Sequence, residues 1–376
     1  MKSLHHSPAR RRFAHVLALV SAVVCLPLVS SRACQLCTPY PKETTADLLL
    51  KADAVVLARE DPARSFQFAA IEVLKGDPGD HSIDLFLDSA TRRILAAEPE
   101  RSVVLTLNKA DCDPDEEDCG LVTWQRIGVA DDEFGPVVRQ ILAAGKEWLT
   151  DPDSRYDFFA GWLGHANIQL RHLAHLEIAR APYRRILECR DEVSREEIYR
   201  LLGNVRYIEW HPLYILLLAA KNDPADHERI RKSFYSCARY STATTLQAWA
   251  AAYIEIAGAE AIDSVEEHYF QRSDRTREEI RAVIQALSVH GSRGHVHLRD
   301  RIMASYAVLL KSYPQHAADL LKDLESWKRT DFRTTIAAIV SKPPKALEPQ
   351  CLRQLRSYHL QQMRGGLRTA RSPLRP

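Results

Sequence analysis

Short runs in which apolar and polar residues alternate fill the chain from residue 34 to about residue 136. Such alternation is typical of strands with one buried face, because successive side chains of a strand point to opposite sides. Turn clusters such as Lys75–Gly79 separate the runs. The predicted strands lie at residues 54–58, 66–73, 83–87, 103–107 and from 122 onward. Five short strands suit a small closed barrel of the OB type, in which closure removes exposed sheet edges.

From Val137 onward the spacing of apolar residues becomes helical. Apolar side chains recur every third or fourth position over 246–257 and again over 280–287, which predicts helices with one buried face. Equivalent helix ends are predicted 37 and then 33 residues apart, near Ala220, Ala257 and His290. This period is typical of two-helix repeats that stack into a solenoid, and a non-repetitive helical bundle is the alternative.

Composition agrees with a chain in which helix dominates. Only 14 of the 376 residues are glycine, below the usual share of about 7%, which disfavours a fold built on β-turns and glycine-rich phosphate loops. We expect an α+β multidomain protein. A five-stranded OB-like barrel over 34–136 would precede an all-α HEAT-like solenoid over 137–341, and a basic, partly disordered tail would follow over 342–376.

The N-terminus has the organisation of an export signal. Arg10–Arg12 precede an apolar stretch over 16–29, which is shorter than the roughly 20 residues that a membrane-spanning helix needs. Ser31 and Ala33 match a signal-peptidase site before Cys34. We therefore expect a 33-residue signal peptide and an exported protein, periplasmic or secreted, that begins at Cys34. An uncleaved membrane anchor and a lipidated Cys34 are the alternatives.

Removal of this signal changes the charge of the chain. The residues from 34 onward include 46 basic and 49 acidic side chains, a net charge of −3. The balance is −10 over 34–150, zero over 151–341 and +7 over 342–376. An acidic first module disfavours nucleic-acid binding. Membrane contact is expected only through the basic C-terminal tail or a lipidated Cys34.

Four cysteines of the first module are candidates for structural disulfides, because an exported chain meets an oxidising compartment. They are Cys34, Cys37, Cys112 and Cys119. Four cysteines allow three pairings, and bridges from the N-terminal pair to the other pair would hold a segment that lacks a strand of its own. A redox-active C-x-x-C motif is the alternative. Three further cysteines are Cys189, Cys237 and Cys351, and the odd one among them is expected to be a small buried residue in helical surroundings.

The stretches CQLCTPYPKETTADLLLKADAVVLARE and FQFAAIEVLKGD resemble the start of netrin-type modules, which include the tissue inhibitors of metalloproteinases. The resemblance rests on the N-terminal cysteine pair, the ADAVVLA strand and a strand that ends in Lys75-Gly76. It implies an OB-like barrel and, for an inhibitor, chelation of a protease zinc by the amine and carbonyl of Cys34. The family pattern is C-x-C, whereas this chain has C-x-x-C followed by Thr38-Pro39. The chain therefore does not match the N-terminal segment with which those inhibitors enter the protease cleft.

Segments of the helical part resemble the degenerate HEAT-like repeats of exported bacterial proteins. These segments are FFAGWLGHANIQLRHLAHLEIARAPY, WAAAYIEIAG and AVIQALSVHG. The resemblance implies stacked helix pairs that share a continuous core and present an extended binding surface. It implies no particular activity.

Motifs for several kinds of chemistry are absent from the sequence. It contains no dinucleotide-binding, phosphate-loop or nucleophile-elbow pattern. His227-Glu228 begins like a zincin motif, but Arg231 stands where the second histidine ligand would be. Residues 111–115 begin like a calcium loop without the glycine and the final glutamate that such a loop needs.

Two groups of three histidines could supply metal ligands in principle. A turn after Gly164 separates one member of the first group from the others, which favours surface or capping roles. The second group surrounds two glycines at a predicted link between helices, which favours polar loop roles. We therefore expect no metal site and no cofactor. The groups are His165, His172 and His175, and His290, His295 and His297.

These features favour a non-catalytic interaction or scaffold protein with an unknown envelope or extracellular protein partner. The stacked helices are expected to form the main contact surface, because successive hairpins leave their edges in a row. The alternative function is a metalloprotease inhibitor that acts through Cys34. An enzyme that uses the histidines or the C-x-x-C motif would need those groups to converge in one pocket.

We expect the exported protein to begin at Cys34 and to carry its four N-terminal-module cysteines as disulfides. Its intact mass under non-reducing conditions should equal that of residues 34–376 less four hydrogens. Retention of residues 16–29 would support the membrane anchor instead, and four free thiols would exclude the disulfides.

Overall fold

The computed structural model describes residues 43–109 and 122–369. These residues form an α+β fold that is 63% helical and contains one four-stranded antiparallel sheet, which confirms the predicted class. The strand order is β2-β1-β3-β4. The strands are β1 (Ala54–Asp61), β2 (Arg64–Lys75), β3 (Ser102–Lys109) and β4 (Val122–Ala130).

Helices account for most of the other described residues. In the described ranges the α-helices are α1 (Thr45–Lys51), α2 (Ser89–Ala97), α3 (Phe134–Ala144), α4 (Glu147–Thr150), α5 (Pro152–Ala160), α6 (Ile168–Ala179), α7 (Tyr183–Glu188), α8 (Arg195–Leu202), α9 (His211–Lys221), α10 (Pro224–Tyr240), α11 (Leu246–Ala257), α12 (Ala259–Val265), α13 (Arg277–Ser292), α14 (Arg299–Ser312), α15 (Leu321–Ser326), α16 (Arg333–Ser341) and α17 (Pro349–Thr369). Short 3₁₀ segments lie at Cys189–Asp191, Val205–Tyr207, Val296–Leu298 and Pro314–Leu320, and a π-helical turn spans Glu266–Phe270. Among these described helices, none combines the length and the apolar character that crossing a membrane requires.

The sheet corrects the prediction of a five-stranded barrel. Within the described residues the sheet is open, and β2 and β4 are its edges. Residues 83–87, predicted as a strand, form only an isolated bridge between Gln67 and Phe86. The alternation at 83–87 reflects which side chains are buried, since Leu87 is fully buried against the sheet. It does not indicate that the backbone of this segment is hydrogen-bonded to a neighbouring strand. Asp88 then caps α2, so the extended segment ends before it can continue a ladder.

Strand β1 contacts a hydrophobic core on each of its faces. Ala54, Val56 and Ala58 pack in a small cluster with α2, whereas Val55 and Leu57 pack in the main core with the helices. Because side chains alternate between the two faces of a strand, a strand buried on both sides has a continuous apolar sequence. The sheet and the helices therefore share one core, and the described residues belong to one compact unit.

Three consecutive helix pairs follow a regular spacing along the chain. They are α9 with α10, α11 with α12, and α13 with α14. The first helices of the pairs end at Lys221, Ala257 and Ser292, so that 36 and 35 residues separate equivalent ends. Helix α11 packs against α9 on one side and α13 on the other. Every residue of α9 from Leu213 to Ala220 is buried, as expected for a helix that is apolar all round.

The segment predicted as a basic tail contains helix α17. Cys351, Leu355 and Tyr358 are buried at positions i, i+4 and i+7, which gives α17 one apolar face. This helix packs against α16 and the turn at Pro314–Leu320. The described part of the C-terminal segment is therefore helical as far as Thr369.

Arg155 links helix α1 to the helices that follow the sheet. Arg155 of α5 donates to Asp47 Oδ1 of α1 at 2.7 Å and to the two carboxylate oxygens of Glu177 in α6 at 2.8 and 2.9 Å. Arg180 donates to the other oxygen of Asp47 at 2.5 Å. We call Asp47, Arg155, Glu177 and Arg180 the Arg155 network. It joins segments that are more than a hundred positions apart in the sequence.

The Arg155 network determines the ionisation of Asp47. Burial alone would raise the pKa of this carboxyl group, but hydrogen bonds from Arg180, the Thr44 backbone and Arg155 outweigh burial and hold the pKa well below its usual value of 3.8. A carboxylate with a lower pKa in the folded chain stabilises the fold above its unfolded pKa. This stabilisation is lost as the pH falls toward the folded pKa.

We expect Asp47→Asn to flatten the acid limb of the stability curve. The wild-type chain should lose free energy of unfolding as the pH falls below about 4, whereas the variant has no carboxylate to protonate at this position and should lose less. Urea unfolding between neutral pH and about pH 3 measures the difference. Asp191→Asn, at a side chain that is 82% exposed, is the control and should follow the wild type. Equal slopes for Asp47→Asn and the wild type would exclude this contribution.

Candidate functional site

The residues predicted to form disulfides and the cleavage site lie outside the described part of the chain. They are Ala33, Cys34, Cys37, Cys112 and Cys119. The acidic run that begins like a calcium loop also lies outside the described residues. Those predictions therefore stay predictions.

The three remaining cysteines are described, and all are free and buried. Burial raises the pKa of the Cys189 thiol to about 12 and that of the Cys237 thiol to about 11. A thiol with such a pKa is protonated at neutral pH and is a poor nucleophile. The sequence predicted this state for the odd cysteine of the three, and the structure shows it for Cys189, Cys237 and Cys351 alike.

Among the described residues the first histidine group does not form a set of metal ligands, although His172 and His175 both stack on Trp210. His165 accepts a hydrogen bond from the Asn167 backbone at 3.1 Å, just before α6 begins. His175 is fully buried, and its ring stacks on that of Trp210 with 4.7 Å between centroids. Burial lowers the pKa of His175 to about 3. The predicted surface role is therefore wrong for His175, because Trp210, 35 positions further along the chain, covers it.

The possible zincin motif is occupied by an ion pair. Arg231 donates to both oxygens of Glu228 at 2.8 and 2.9 Å. His227 contacts the Asn222 side chain at 2.9 Å. A cation therefore stands where that motif needs its second ligand.

The second histidine group contributes to a polar cluster that the sequence pattern did not reveal. His290 lies inside α13 and is fully buried, which corrects its predicted role as a loop residue. With His295 it faces Glu255 of α11, and the possible ligand atoms of these three side chains all lie within 4.8 Å of one another. Tyr183, the first residue of α7, donates to Glu255 Oε2 at 2.6 Å. We call Tyr183, Glu255, His290 and His295 the Glu255 cluster.

The hydrogen bonds of His290 determine which of its ring nitrogens carries the proton. Nε2 lies 2.8 Å from the carbonyl oxygen of Ala251, and a carbonyl only accepts, so Nε2 donates. Nδ1 is buried without a hydrogen-bond partner and lies 3.8 Å from Glu255 Oε2. Burial lowers the pKa of His290 to about 3, so the ring is neutral at physiological pH. A buried lone pair therefore faces the Glu255 carboxylate.

His295 completes the cluster from the loop after α13. Its Nε2 lies 3.1 Å from the backbone oxygen of Glu255 and 3.5 Å from Glu255 Oε1. The side chain is 31% exposed. His297, the third member of the group, touches the His295 ring edge-on and is itself exposed. The cluster is thus closed at His290 and open to solvent at His295.

The packing of α11 against α13 explains why Glu255 and His290 meet. Glu255 lies two residues before the end of α11, and His290 lies two residues before the end of α13. The two residues are therefore equivalent positions of adjacent helices that pack side by side. The 35-residue offset between these helices is the signal in the sequence that places this glutamate beside this histidine.

Gly294 packs closely against the His290 and Tyr183 rings. A Cβ atom at this position would lie 2.7 Å from His290 Nδ1 and 3.1 Å from Tyr183 Cε1. Both distances are shorter than an ordinary van der Waals contact. Any larger residue would therefore displace the imidazole or the tyrosine ring.

A second feature of the surface is a cleft of about 740 Å³ beside the sheet. It is formed by α1, the end of β2 and helices α3 to α5, and we call it the α1–α3 cleft. Its apolar lining consists of Leu50, Leu74, Leu142, Ala143 and Leu149. Its charged lining consists of Lys51, Lys75, Arg139, Lys146 and Arg155, with Asp47 as the one acid.

We expect Gly294→Ala to lower the free energy of unfolding by about 1–3 kcal/mol, because overpacking forces buried side chains from their positions. The matched control is Gly161→Ala, since a Cβ atom at position 161 would meet nothing within 4 Å. Chemical denaturation of both variants measures the difference. A Gly294→Ala variant as stable as the control would show that this space is not tight.

No family model, no curated protein and no solved structure matches this chain. The netrin-type and HEAT-like features of the sequence therefore remain resemblances.

Proposed function

We propose that the protein is an exported, non-catalytic interaction protein that binds an envelope or extracellular protein partner in the α1–α3 cleft. In this proposal the helix pairs from α9 to α14 are HEAT-like repeats that hold the cleft on a rigid support. The observation that carries the proposal is the cleft itself, in which apolar side chains are open to solvent beneath a rim of cations.

The apolar side of the cleft supports binding of a protein segment. Leu149 is 84% exposed, although the neighbouring Trp148 is buried in the main core. Leu50, Leu74 and Leu142 pack against that core while also lining the cleft. An exposed leucine beside a concave apolar surface gives a partner side chain somewhere to be buried.

The charges of the cleft favour an acidic partner segment. Arg139 is already paired with Glu72 at 2.6 Å, Arg155 belongs to the Arg155 network, and Lys51 pairs with Glu43. Lys75 donates to the carbonyl oxygens of Leu50 and Ala52 at the end of α1 at 2.6 Å each, and burial lowers its pKa.

Lys51 and Lys146 are both exposed lysines of the cleft, and Lys51 is the one that pairs with Glu43. Together, Lys75 and Lys146 leave the cleft with excess positive charge. A partner carboxylate placed against an apolar contact would complement it.

The helical part supports a binding role because its buried acids have structural partners. Glu279 pairs with Arg275 at 3.1 Å and closes the capping box of α13 with Thr276. Asp323 accepts hydrogen bonds from Ser288 at 2.6 Å and Tyr306 at 2.7 Å. These groups hold helices together. The inhibitor alternative depends on Cys34, which lies outside the described residues.

We expect a photo-crosslinking amino acid at position 149 to capture the partner in the native envelope or medium. The control is the same amino acid at position 205, because Val205 is also apolar and 74% exposed but lies among the helices. Lys146→Glu should remove the adduct at 149, since it reverses a charge at the rim. The full chain should be used, because the Arg155 network and the shared core join the sheet to the helices.

The cleft proposal would be contradicted if the partner formed an adduct at 205 but none at 149, and if Lys146→Glu did not affect that adduct. The contact surface would then lie on the row of helices and not in the cleft. Turnover of a substrate by the purified chain would contradict the non-catalytic role.

A further inference from the structure

The Glu255 cluster contains two electron-rich atoms that face each other in a buried position. His290 Nδ1 carries a lone pair, because the proton of the ring is on Nε2, and it lies 3.8 Å from Glu255 Oε2. That oxygen accepts a hydrogen bond from Tyr183, whereas His290 Nδ1 is buried without a hydrogen-bond partner. Unpaired polar atoms are costly in a protein interior, and a cation between them would remove the cost.

We propose that Glu255, His290 and His295 form a binding site for a divalent transition-metal ion, and specifically for zinc. The ligand set is two imidazole nitrogens and one carboxylate oxygen, which are donors that zinc accepts in proteins. This proposal is independent of the function proposed for the α1–α3 cleft.

One ligand atom from each of the three residues lies within 4.8 Å of the others, although the two imidazoles are nearest to different oxygens of Glu255. Ligand bonds of about 2.1 Å place tetrahedral ligand atoms roughly 3.4 Å apart. Here Nδ1 of His290 is 3.8 Å from Glu255 Oε2, and Nε2 of His295 is 3.5 Å from Glu255 Oε1. Small movements of His295, which lies in a loop and is partly exposed, are enough to close the set.

The outer partners of the cluster resemble those that orient metal ligands. The Ala251 carbonyl fixes the tautomer of His290 and leaves Nδ1 free for the ion. Tyr183 holds one oxygen of Glu255. His295 Nε2 donates to the Glu255 backbone without an ion, so its proton must be lost, or move to Nδ1, when the nitrogen binds zinc.

Three protein ligands leave one position of a tetrahedron for water or for a group from outside. Glu255 and His290 are largely buried, whereas His295 is at the surface. The open position therefore faces solvent on the side of His295. Zinc bound in this way would link the end of α11 to the loop that follows α13.

Zinc binding to the purified full-length chain tests the site, by calorimetry and by competition with a chromogenic chelator. We expect Glu255→Gln and His295→Gln each to bind one zinc ion fewer than the wild type, or to bind it at least 100-fold more weakly. His297→Gln is the matched control and should bind as the wild type does, because His297 is adjacent but exposed and outside the ligand set. His295 is changed in preference to His290, since loss of the buried ring endangers folding.

Cobalt spectra distinguish this site from zinc bound at scattered surface histidines. Cobalt in place of zinc should give the visible bands of a four-coordinate ion with nitrogen and oxygen ligands, and these bands should vanish in His295→Gln. Lys146→Glu should leave zinc binding unchanged, so failure of the cleft proposal would not affect this one. If the wild type binds no zinc, or if Glu255→Gln and His295→Gln bind it as the wild type does, the proposal is wrong.

Discussion

The ion pairs of Arg155 determine how the two parts of this fold meet. Glu177 is only 3% exposed and Asp47 is 13% exposed, so their charges depend on arginine partners and not on water. Removing one partner of a buried ion pair leaves an uncompensated charge, which typically costs about 3–5 kcal/mol. Helix α1 leads directly into the central strand β1, so the position of Asp47 also fixes the sheet. Because Asp47 and Arg155 line the α1–α3 cleft, the same contacts shape the proposed binding surface.

The packing of α11 against α13 positions the Glu255 cluster. Adjacent helices of successive pairs bring equivalent positions together at their ends, and polar side chains at those ends meet in a setting that is otherwise apolar. Glu255 and His290 are such a pair, and His295 reaches them from the next loop. In the interior of α11 and α13, equivalent positions hold apolar residues that contribute to the main core. Polar side chains such as Glu255 and His290 can therefore lie at the helix ends without disturbing the apolar packing between the helices.

Patterns within a few residues of sequence predicted much of this fold. A short apolar run located the strand at 54–58, and alternation located those at 66–73, 103–107 and from 122. Helical spacing located the ends of α9, α11 and α13 to within two residues. The segment at 83–87 was misassigned because alternation reports which side chains are buried and not whether the backbone is paired. The burial of His175 and His290 could not be predicted locally, since it depends on Trp210 and Ala251 elsewhere in the chain. The Arg155 network could not be predicted locally either, because Asp47 is more than a hundred positions from Arg155 and Arg180 in the sequence.

The zinc site follows directly from the way the helix ends bring polar side chains together, and X-ray absorption at the zinc edge tests it best. The full chain with one equivalent of zinc should show only nitrogen and oxygen neighbours at about 2.0–2.2 Å, with the outer scattering of two imidazole rings. Sulfur neighbours at about 2.3 Å would place the ion at cysteines instead. That result, or a shell of water oxygens without imidazole, would contradict a site at Glu255, His290 and His295.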